Sequence, residues 1–220
     1  MVPYLDFHTH NKPSHGDILC INSCFVSTKD SIDLNSYFTV GIHPWQVLSE
    51  TEIQSHIEEI RNLASSHHKN CIAIGECGID KLKGSSLDQQ ISTFRKQLDL
   101  AIELQKPVIV HCVRAFDSLI QIRKQYPYIR MAIHGIVTSS QLMEDLSRLG
   151  FYFSIGAAVL KSTKLQQALQ KIPPDRMFLE TDTSDVSIVD IYDKVADIVK
   201  QSPEELKAII LTNFRNFMGI

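Results

Sequence analysis

Residues 5–10 read Leu-Asp-Phe-His-Thr-His, and this stretch decides how the rest of the chain is interpreted. Successive side chains of a β-strand point to opposite faces, so Asp6, His8 and His10 share one face. Leu5 and Phe7 share the other face, which is apolar. Two histidines two positions apart are the arrangement of a pair of metal ligands. These residues alone leave an alternative open. The chain has nine histidines, and these two could be ordinary surface residues.

The composition is that of a folded soluble enzyme. Of the 220 residues, 44% are hydrophobic and 21% are charged, which excludes a disordered or collagen-like chain. This length suits one large α/β barrel or two small domains. The net charge is −3, so no overall basic field attracts the protein to nucleic acid or to anionic membranes. Any phosphate that it binds must be held locally.

Location and partners are inferred from the N-terminus and the cysteines. The first residues contain no basic segment followed by an apolar one, and no stretch approaches the ~20 apolar residues of a spanning helix. The five cysteines are odd in number and scattered, as is typical of reduced thiols. We therefore predict a cytoplasmic protein with no membrane partner and no obligate protein partner.

Strand and helix signals alternate along the chain. Strands are predicted at residues 5–10, 17–25, 37–42, 71–75, 108–110, 130–133, 151–155 and 177–181. Helices are predicted at residues 49–67, 87–105, 115–126, 139–149 and 165–172, with two more after residue 182. No long linker rich in Pro, Gly or Ser divides them. The sequence therefore predicts one domain, residues 1–220, folded as a compact and distorted (β/α)₈ barrel of the TIM type.

Candidate metal ligands follow the predicted strands. In this architecture, active sites are built at the carboxyl ends of the strands. Residues at or just past these ends are His8, His10, Glu76, His111, His134 and Asp182. Four imidazoles and two carboxylates suit a pair of divalent cations, and Glu76 has two oxygens with which to bridge them.

These motifs resemble those of the TatD family of metal-dependent hydrolases, within the amidohydrolase-like barrels. The similar segments are residues 6–10 (DFHTH, the HxH motif), 40–45 (VGIHPW, the GxHP turn), 74–80 (IGECGID, the GEIGLD motif), His111, 134–135 (HG) and 180–182 (ETD). The resemblance spans the length of the chain. It implies a divalent-metal hydrolase, and several members of the family act as deoxyribonucleases.

The resemblance also implies roles for individual residues. His8, His10, Glu76 and Asp182 would hold one metal ion, and Glu76, His111 and His134 would hold the second. The catalytic candidates are Asp182, which would orient the attacking water and take its proton, and Glu76. The sequence does not choose among Zn, Mn, Ni and Mg.

The chain departs from the family pattern where a substrate phosphate would bind. Arg114 falls one residue later than the arginine of the family's HxRxA pattern, and residues 183–186 lack its basic loop. Arg114 and His43 are the candidate substrate contacts, and for His43 a hydrogen-bonded histidine at the end of its strand is the alternative. The leading interpretation is a phosphodiesterase that acts on DNA. The alternatives are a hydrolase of a small amide, lactone or phosphomonoester, and a non-catalytic protein whose metals stabilise the barrel.

Three further carboxylates carry expectations of their own. Asp6 and Asp80 are candidates to accept hydrogen bonds from the ligating imidazoles, which normally donate their second N–H to a carboxylate or carbonyl. Their alternative role is that of strand-end turn residues. Glu180 shares the face of Asp182, so we expect a cationic or hydrogen-bonding partner close to it.

Overall fold

The computed structural model describes residues 2–11 and 17–219. Its strands are β1 (Tyr4–Thr9), β2 (Ile18–Phe25), β3 (Phe38–Gly41), β4 (Cys71–Asp80), β5 (Val108–Val113), β6 (Met131–Ile133), β7 (Tyr152–Ile155) and β8 (Met177–Leu179). Its α-helices are α1 (Glu50–Ser66), α2 (Leu87–Glu103), α3 (Phe116–Gln125), α4 (Ser140–Arg148), α5 (Thr163–Leu169), α6 (Ile188–Val199) and α7 (Pro203–Met218). Short 3₁₀ helices occupy Val26–Ser31, Ala157–Leu160 and Pro174–Arg176.

The strands form one sheet in chain order, from β1 to β8. The strand pairs with a described register are parallel, as connections through helices require. A parallel bridge between Thr9 and Asp182 joins the end of β1 to the segment after β8. The predicted (β/α)₈ fold class is confirmed.

The predicted ends of β4 and β5 are wrong. The prediction ended these strands at residues 75 and 110, but the structure continues them to Asp80 and Val113. Glu76 and His111 therefore lie inside their strands. Their pairing continues beyond both residues, from Gly78 opposite His111 to Asp80 opposite Val113.

The chain divides into two compact units, residues 1–22 with 133–220, and residues 23–132. In the first unit, an aromatic cluster fixes β1 against β8 and α7. The rings of Phe7 and Phe178 are stacked, with centroids 3.8 Å apart, and Phe217 meets both edge-on at 5.5 Å. Burying such rings stabilises a fold by several kcal/mol in aggregate. The strand that carries His8 and the strand that leads to Asp182 are thereby packed against each other.

In the second unit, β3, β4 and β5 are neighbouring strands, and β4 is buried along its whole length. Gly78 shows why the motif in residues 74–80 needs its second glycine. Its φ is +148°, and a Cβ atom there would lie 2.0 Å from the carbonyl oxygen of His111. Only glycine allows the two strands this approach.

Serine side chains cap the first turns of two long helices. Ser49 with Glu52, and Ser202 with Glu205, form complete capping boxes at the N-termini of α1 and α7. Within residues 2–11 and 17–219, no helix is both long enough and apolar enough to cross a bilayer.

Candidate metal centre

His8, His10 and Asp182 come together in the first unit. Each offers one ligand atom, and the three atoms lie within 4.8 Å of one another. His8 is buried, whereas the side chains of His10 and Asp182 are 22% and 38% exposed. The cluster therefore has one buried side and one side open to solvent.

The backbone fixes the relative positions of these three residues. The Asp182 amide donates to the His8 carbonyl at 2.9 Å, and the His10 amide donates to the Asp182 carbonyl at 3.0 Å. Asp182 has a φ of +53°, a left-handed conformation that aspartate tolerates better than most residues. The ladder between the strand ends therefore sets the ligand spacing.

The donor spacing fits a divalent ion. The Asp182 Oδ1 atom lies 3.8 Å from His8 Nε2 and 3.7 Å from His10 Nε2. Ligands about 2.1 Å from a common ion are roughly 3.4 Å apart at a tetrahedral angle and about 4.2 Å apart when opposite. The observed distances lie between these limits and exceed those of direct hydrogen bonds. Imidazole and carboxylate are also the ligand types that such ions accept.

Asp6 is tied to the residue that precedes Asp182. Its Oδ1 accepts from the Thr181 amide at 2.9 Å, and its Oδ2 accepts from the Thr181 hydroxyl at 2.7 Å. That hydroxyl is also 2.8 Å from the hydroxyl of Thr9. Burial raises the pKa of Asp6 to about 7, although the bonds from Thr181 act to lower it. The described side-chain partner of Asp6 is thus Thr181, where we had expected an imidazole.

The side chains of His134 and Glu180 are buried next to His8 in the same unit. The His134 ring stacks on that of His8, with centroids 4.2 Å apart, and its Nδ1 lies 3.6 Å from Glu180 Oε1. The Gly135 amide donates to that oxygen at 2.6 Å, which supplies the partner expected for Glu180. Burial acts to raise the pKa of Glu180, but His134 and His8 outweigh it and the pKa is lowered.

A cleft of about 220 Å³ opens beside Asp182. Its walls are the segments that follow β6, β7 and β8, namely residues 135–137, 156–158 and 180–184. Asp182 lines it with a partly exposed carboxylate, whereas the side chain of Glu180 is buried behind the cleft wall, so a molecule in the cleft would meet the Asp182 oxygens.

His43, Glu76 and His111 come together in the second unit, again with donor atoms within 4.8 Å. Glu76 Oε1 lies 2.6 Å from His111 Nδ1 and 3.0 Å from His43 Nε2. These are hydrogen-bond distances, shorter than the spacing of two ligands on a tetrahedral ion. The donor types suit a metal, whereas their present geometry is that of hydrogen-bonded partners.

His43 acts as a support for Glu76 in this arrangement. The Trp45 amide donates to His43 Nδ1 at 3.1 Å, so a neutral ring carries its proton on Nε2. That proton points to Glu76 Oε1. The sequence had placed His43 among the substrate contacts, and the structure adds this contact with a candidate ligand.

Asp80 contacts the imidazole of His111, as predicted. Its Oδ2 lies 3.3 Å from His111 Nε2 and accepts from the Trp45 indole N–H at 2.6 Å. Burial acts to raise the pKa of Asp80, but hydrogen bonds from Trp45, Leu82 and His111 outweigh it and lower the pKa. An ionised carboxylate therefore orients the His111 ring.

Arg114 directly follows β5 and has a φ of +51°. Its side chain is exposed, and the described residues include no hydrogen-bond or ion-pair partner for it. It is placed near the end of the strand that carries His111, and its role in binding substrate stays a prediction.

An eight-stranded α/β barrel with histidines and carboxylates clustered on its strands and strand ends defines a class, the metal-dependent barrel hydrolases. The comparison with known families narrows the class. The chain belongs to the TatD family: the family model described as TatD related DNase matches residues 22–219.

Three similar proteins illustrate the family. An uncharacterised metal-dependent hydrolase of Methanocaldococcus jannaschii, MJ1582, is 27% identical over 83% of this chain and 76% of its own length. The 3′-5′ ssDNA/RNA exonuclease TatD of Erwinia tasmaniensis is 33% identical over 66% of this chain and 56% of its own length. The crystal structure of YJJV, a TatD homologue from Escherichia coli K12, shares the fold with a TM-score of 0.80, at 20% identity, covering 99% of this chain and 98% of that one.

Proposed function

We propose that this chain hydrolyses phosphodiester bonds in single-stranded nucleic acid with the help of divalent metal ions. The observation that carries the proposal is the ligand spacing of His8, His10 and Asp182 beside an open cleft. The family membership supports a metal-dependent hydrolase, and the names of the Erwinia relative and of the human 3′-5′ RNA nuclease TATDN2 support the substrate.

We further propose two ions per chain, with the ligand sets that the family resemblance implies. A bound divalent ion supplies positive charge that lowers the pKa of water and offsets the charge of the phosphate oxygens. The bridging role of Glu76 and the second position, with His111 and His134, stay predictions. So do the identity of the ions, the single-domain organisation of residues 1–220 and the cytoplasmic location.

The chain's own residues would then perform the proton transfer. Asp182 is held by the backbone of His8 and His10, and its carboxylate is open to the cleft. We propose it as the general base that accepts the proton of the attacking water. His8, buried beneath it, keeps one side of the site closed to solvent.

The test starts with the chain purified without chelator, followed by measurement of its metal content. The protein is then assayed on labelled single-stranded DNA, single-stranded RNA, double-stranded DNA, a phosphomonoester, a lactone and an amide. We expect hydrolysis of the single-stranded substrates, lost on chelation and restored by adding a divalent metal. Turnover of only the small substrates would instead establish the alternative of a small-molecule hydrolase.

Asp182→Asn separates chemistry from metal binding, because it keeps the size and one ligating oxygen. Activity per bound metal should fall by at least ~100-fold, the typical loss for a positioned general base. Asp185→Asn, an exposed carboxylate three residues on, is the matched control and should retain activity. If activity per bound metal survives in Asp182→Asn, the proton acceptor lies elsewhere, and Glu76 and Glu180 are the next candidates.

A further inference from the structure

Trp45 is an exposed aromatic ring held in a fixed position. Its side chain is 46% exposed, although its indole N–H donates to Asp80 Oδ2 at 2.6 Å. The ring meets the imidazoles of His43 and His111 edge-on, with centroids 4.7 and 5.8 Å away. A large ring that is anchored at its polar edge and open to solvent next to candidate site residues is suited to binding a ligand.

Lys83 lies over this ring, with its Nζ atom 4.0 Å from the ring centroid. The buried side chain of Gln90 holds the loop that carries Lys83 through hydrogen bonds to the loop backbone. The Nε2 group of Gln90 lies 2.9–3.0 Å from the carbonyl oxygens of Asp80, Lys83 and Ser85 and shares its two hydrogens among these three acceptors. The backbone at Lys83 is therefore fixed, while its four-carbon side chain is exposed and free to change rotamer.

Close packing joins the loop to the turn that carries Trp45. Gly84 has a φ of +91°, and a Cβ atom there would lie 2.1 Å from the Pro44 carbonyl oxygen and 3.1 Å from the Trp45 Cα. The aromatic ring and the cation are thus brought together by two segments that pack without an intervening side chain.

We propose that Trp45 and Lys83 form a nucleotide subsite, in which a nucleobase stacks on the indole and the Lys83 ammonium pairs with the adjoining phosphate. The inference rests on the proposed function and names how a single strand is held next to the His43, Glu76 and His111 cluster. Stacking on an aromatic ring is independent of base identity, because every base has a π face. An incoming base takes the place of the Lys83 side chain on the ring, and the displaced ammonium then reaches the phosphate.

Trp45 also has a simpler role, which is to hold Asp80 against His111. Two substitutions separate the roles. Trp45→Phe keeps an aromatic face and loses the hydrogen bond to Asp80, whereas Trp45→Leu loses both. A stacking subsite predicts a large loss only for the leucine variant, but a purely positioning role predicts similar losses for both.

Trp45 is the only tryptophan in the sequence, so fluorescence excited at the red edge, where the six tyrosines do not absorb, reports on this subsite. The metal-loaded protein, residues 1–220, is titrated with short phosphorothioate oligothymidylate and oligouridylate. Binding is followed both by fluorescence and by the anisotropy of a labelled oligonucleotide. We expect saturable quenching with the same Kd as the anisotropy. Anisotropy should show a Kd raised about 5- to 100-fold in Trp45→Leu and less than about 3-fold in Trp45→Phe. The DNA and RNA arms show which sugar the subsite accepts.

Lys83→Gln tests the phosphate contact. It should weaken binding and lower the slope of log Kd against log salt by about 0.7, the value for one single-strand phosphate contact. Lys124→Gln, an exposed lysine near the end of α3, makes the same change in charge and should leave the slope unchanged.

The outcomes distinguish this inference from the proposed function. If the wild-type protein binds and cleaves the strand while Trp45 fluorescence and the Kd of Trp45→Leu are unchanged, the subsite is refuted and the nuclease activity stands. Equal losses in both Trp45 variants refute stacking in favour of positioning. If the wild type neither binds nor cleaves any strand, the proposed function fails, and the subsite fails with it.

Discussion

Replacing Thr181 with valine tests how firmly the strand ends are joined behind Asp182. The substitution keeps the shape of the side chain and removes one hydroxyl. That hydroxyl donates to Asp6 Oδ2 at 2.7 Å and lies 2.8 Å from Thr9 Oγ1. Asp6 and Thr9 are 4% and 1% exposed, so water cannot replace the lost partner. Leaving a buried acceptor unsatisfied costs about 1–3 kcal/mol, and we expect the free energy of unfolding to fall by about 2 kcal/mol.

The assay is urea unfolding of the metal-free protein, so that ion binding does not contribute to the measured stability. For a chain of this size, a loss of about 2 kcal/mol corresponds to a fall of roughly 4–8 °C in Tm, which thermal unfolding checks independently. Thr212→Val is the matched control, because its hydroxyl is exposed on α7 and bonds only locally. The reasoning is refuted if the two variants agree within about 0.5 kcal/mol.

Three further predictions concern the site and its support. Glu76→Ala should abolish binding of both ions together, because the proposal makes Glu76 their shared ligand; metal analysis that still finds two ions would contradict it. Arg114→Ala should raise KM for a phosphodiester more than it lowers kcat, as loss of uniform binding does, and an unchanged KM would leave Arg114 as an ordinary surface residue. Gly78→Ala should lower Tm far more than Gly135→Ala. A Cβ atom at Gly78 would lie 2.0 Å from the His111 carbonyl oxygen, whereas the nearest contact of a Cβ atom at Gly135 is at 3.6 Å. Similar Tm values for the two glycine variants would show that β4 and β5 can separate.

The sequence predicted the parts of the site that depend on local pattern. The period of two in β1, together with Asp182 after a buried strand, placed His8, His10 and Asp182 at neighbouring strand ends, because carboxyl ends of parallel strands share one edge. The role of Asp80 was also predicted, since a ligating imidazole needs a partner for its second N–H. These inferences need no knowledge of distant contacts.

The parts that were missed depend on long-range packing. The apolar run at residues 71–75 predicted a strand that ends before Glu76, but β4 continues to Asp80, and Gly78 is needed where it passes the backbone of His111. The indole of Trp45 is fixed by Asp80, 35 residues away, a contact that no periodicity reveals. An aromatic residue next to His43 and Pro44 was the signal that could have directed attention to it.

Each of the two strands that carry the candidate ligands His8 and Glu76 has one residue more than its neighbour over a short segment. Between Asp6 and Thr9, β1 advances three residues while β2 advances two, and between Ile74 and Cys77, β4 does the same against β5. His8 and Glu76 lie within these irregular segments. Removing one residue from either segment would therefore make the pairing more regular while withdrawing a ligand. In the proposed site, a single in-frame codon deletion would therefore remove a candidate ligand without interrupting the strand pairing, so retention of the fold is weak evidence of retained activity in shortened relatives.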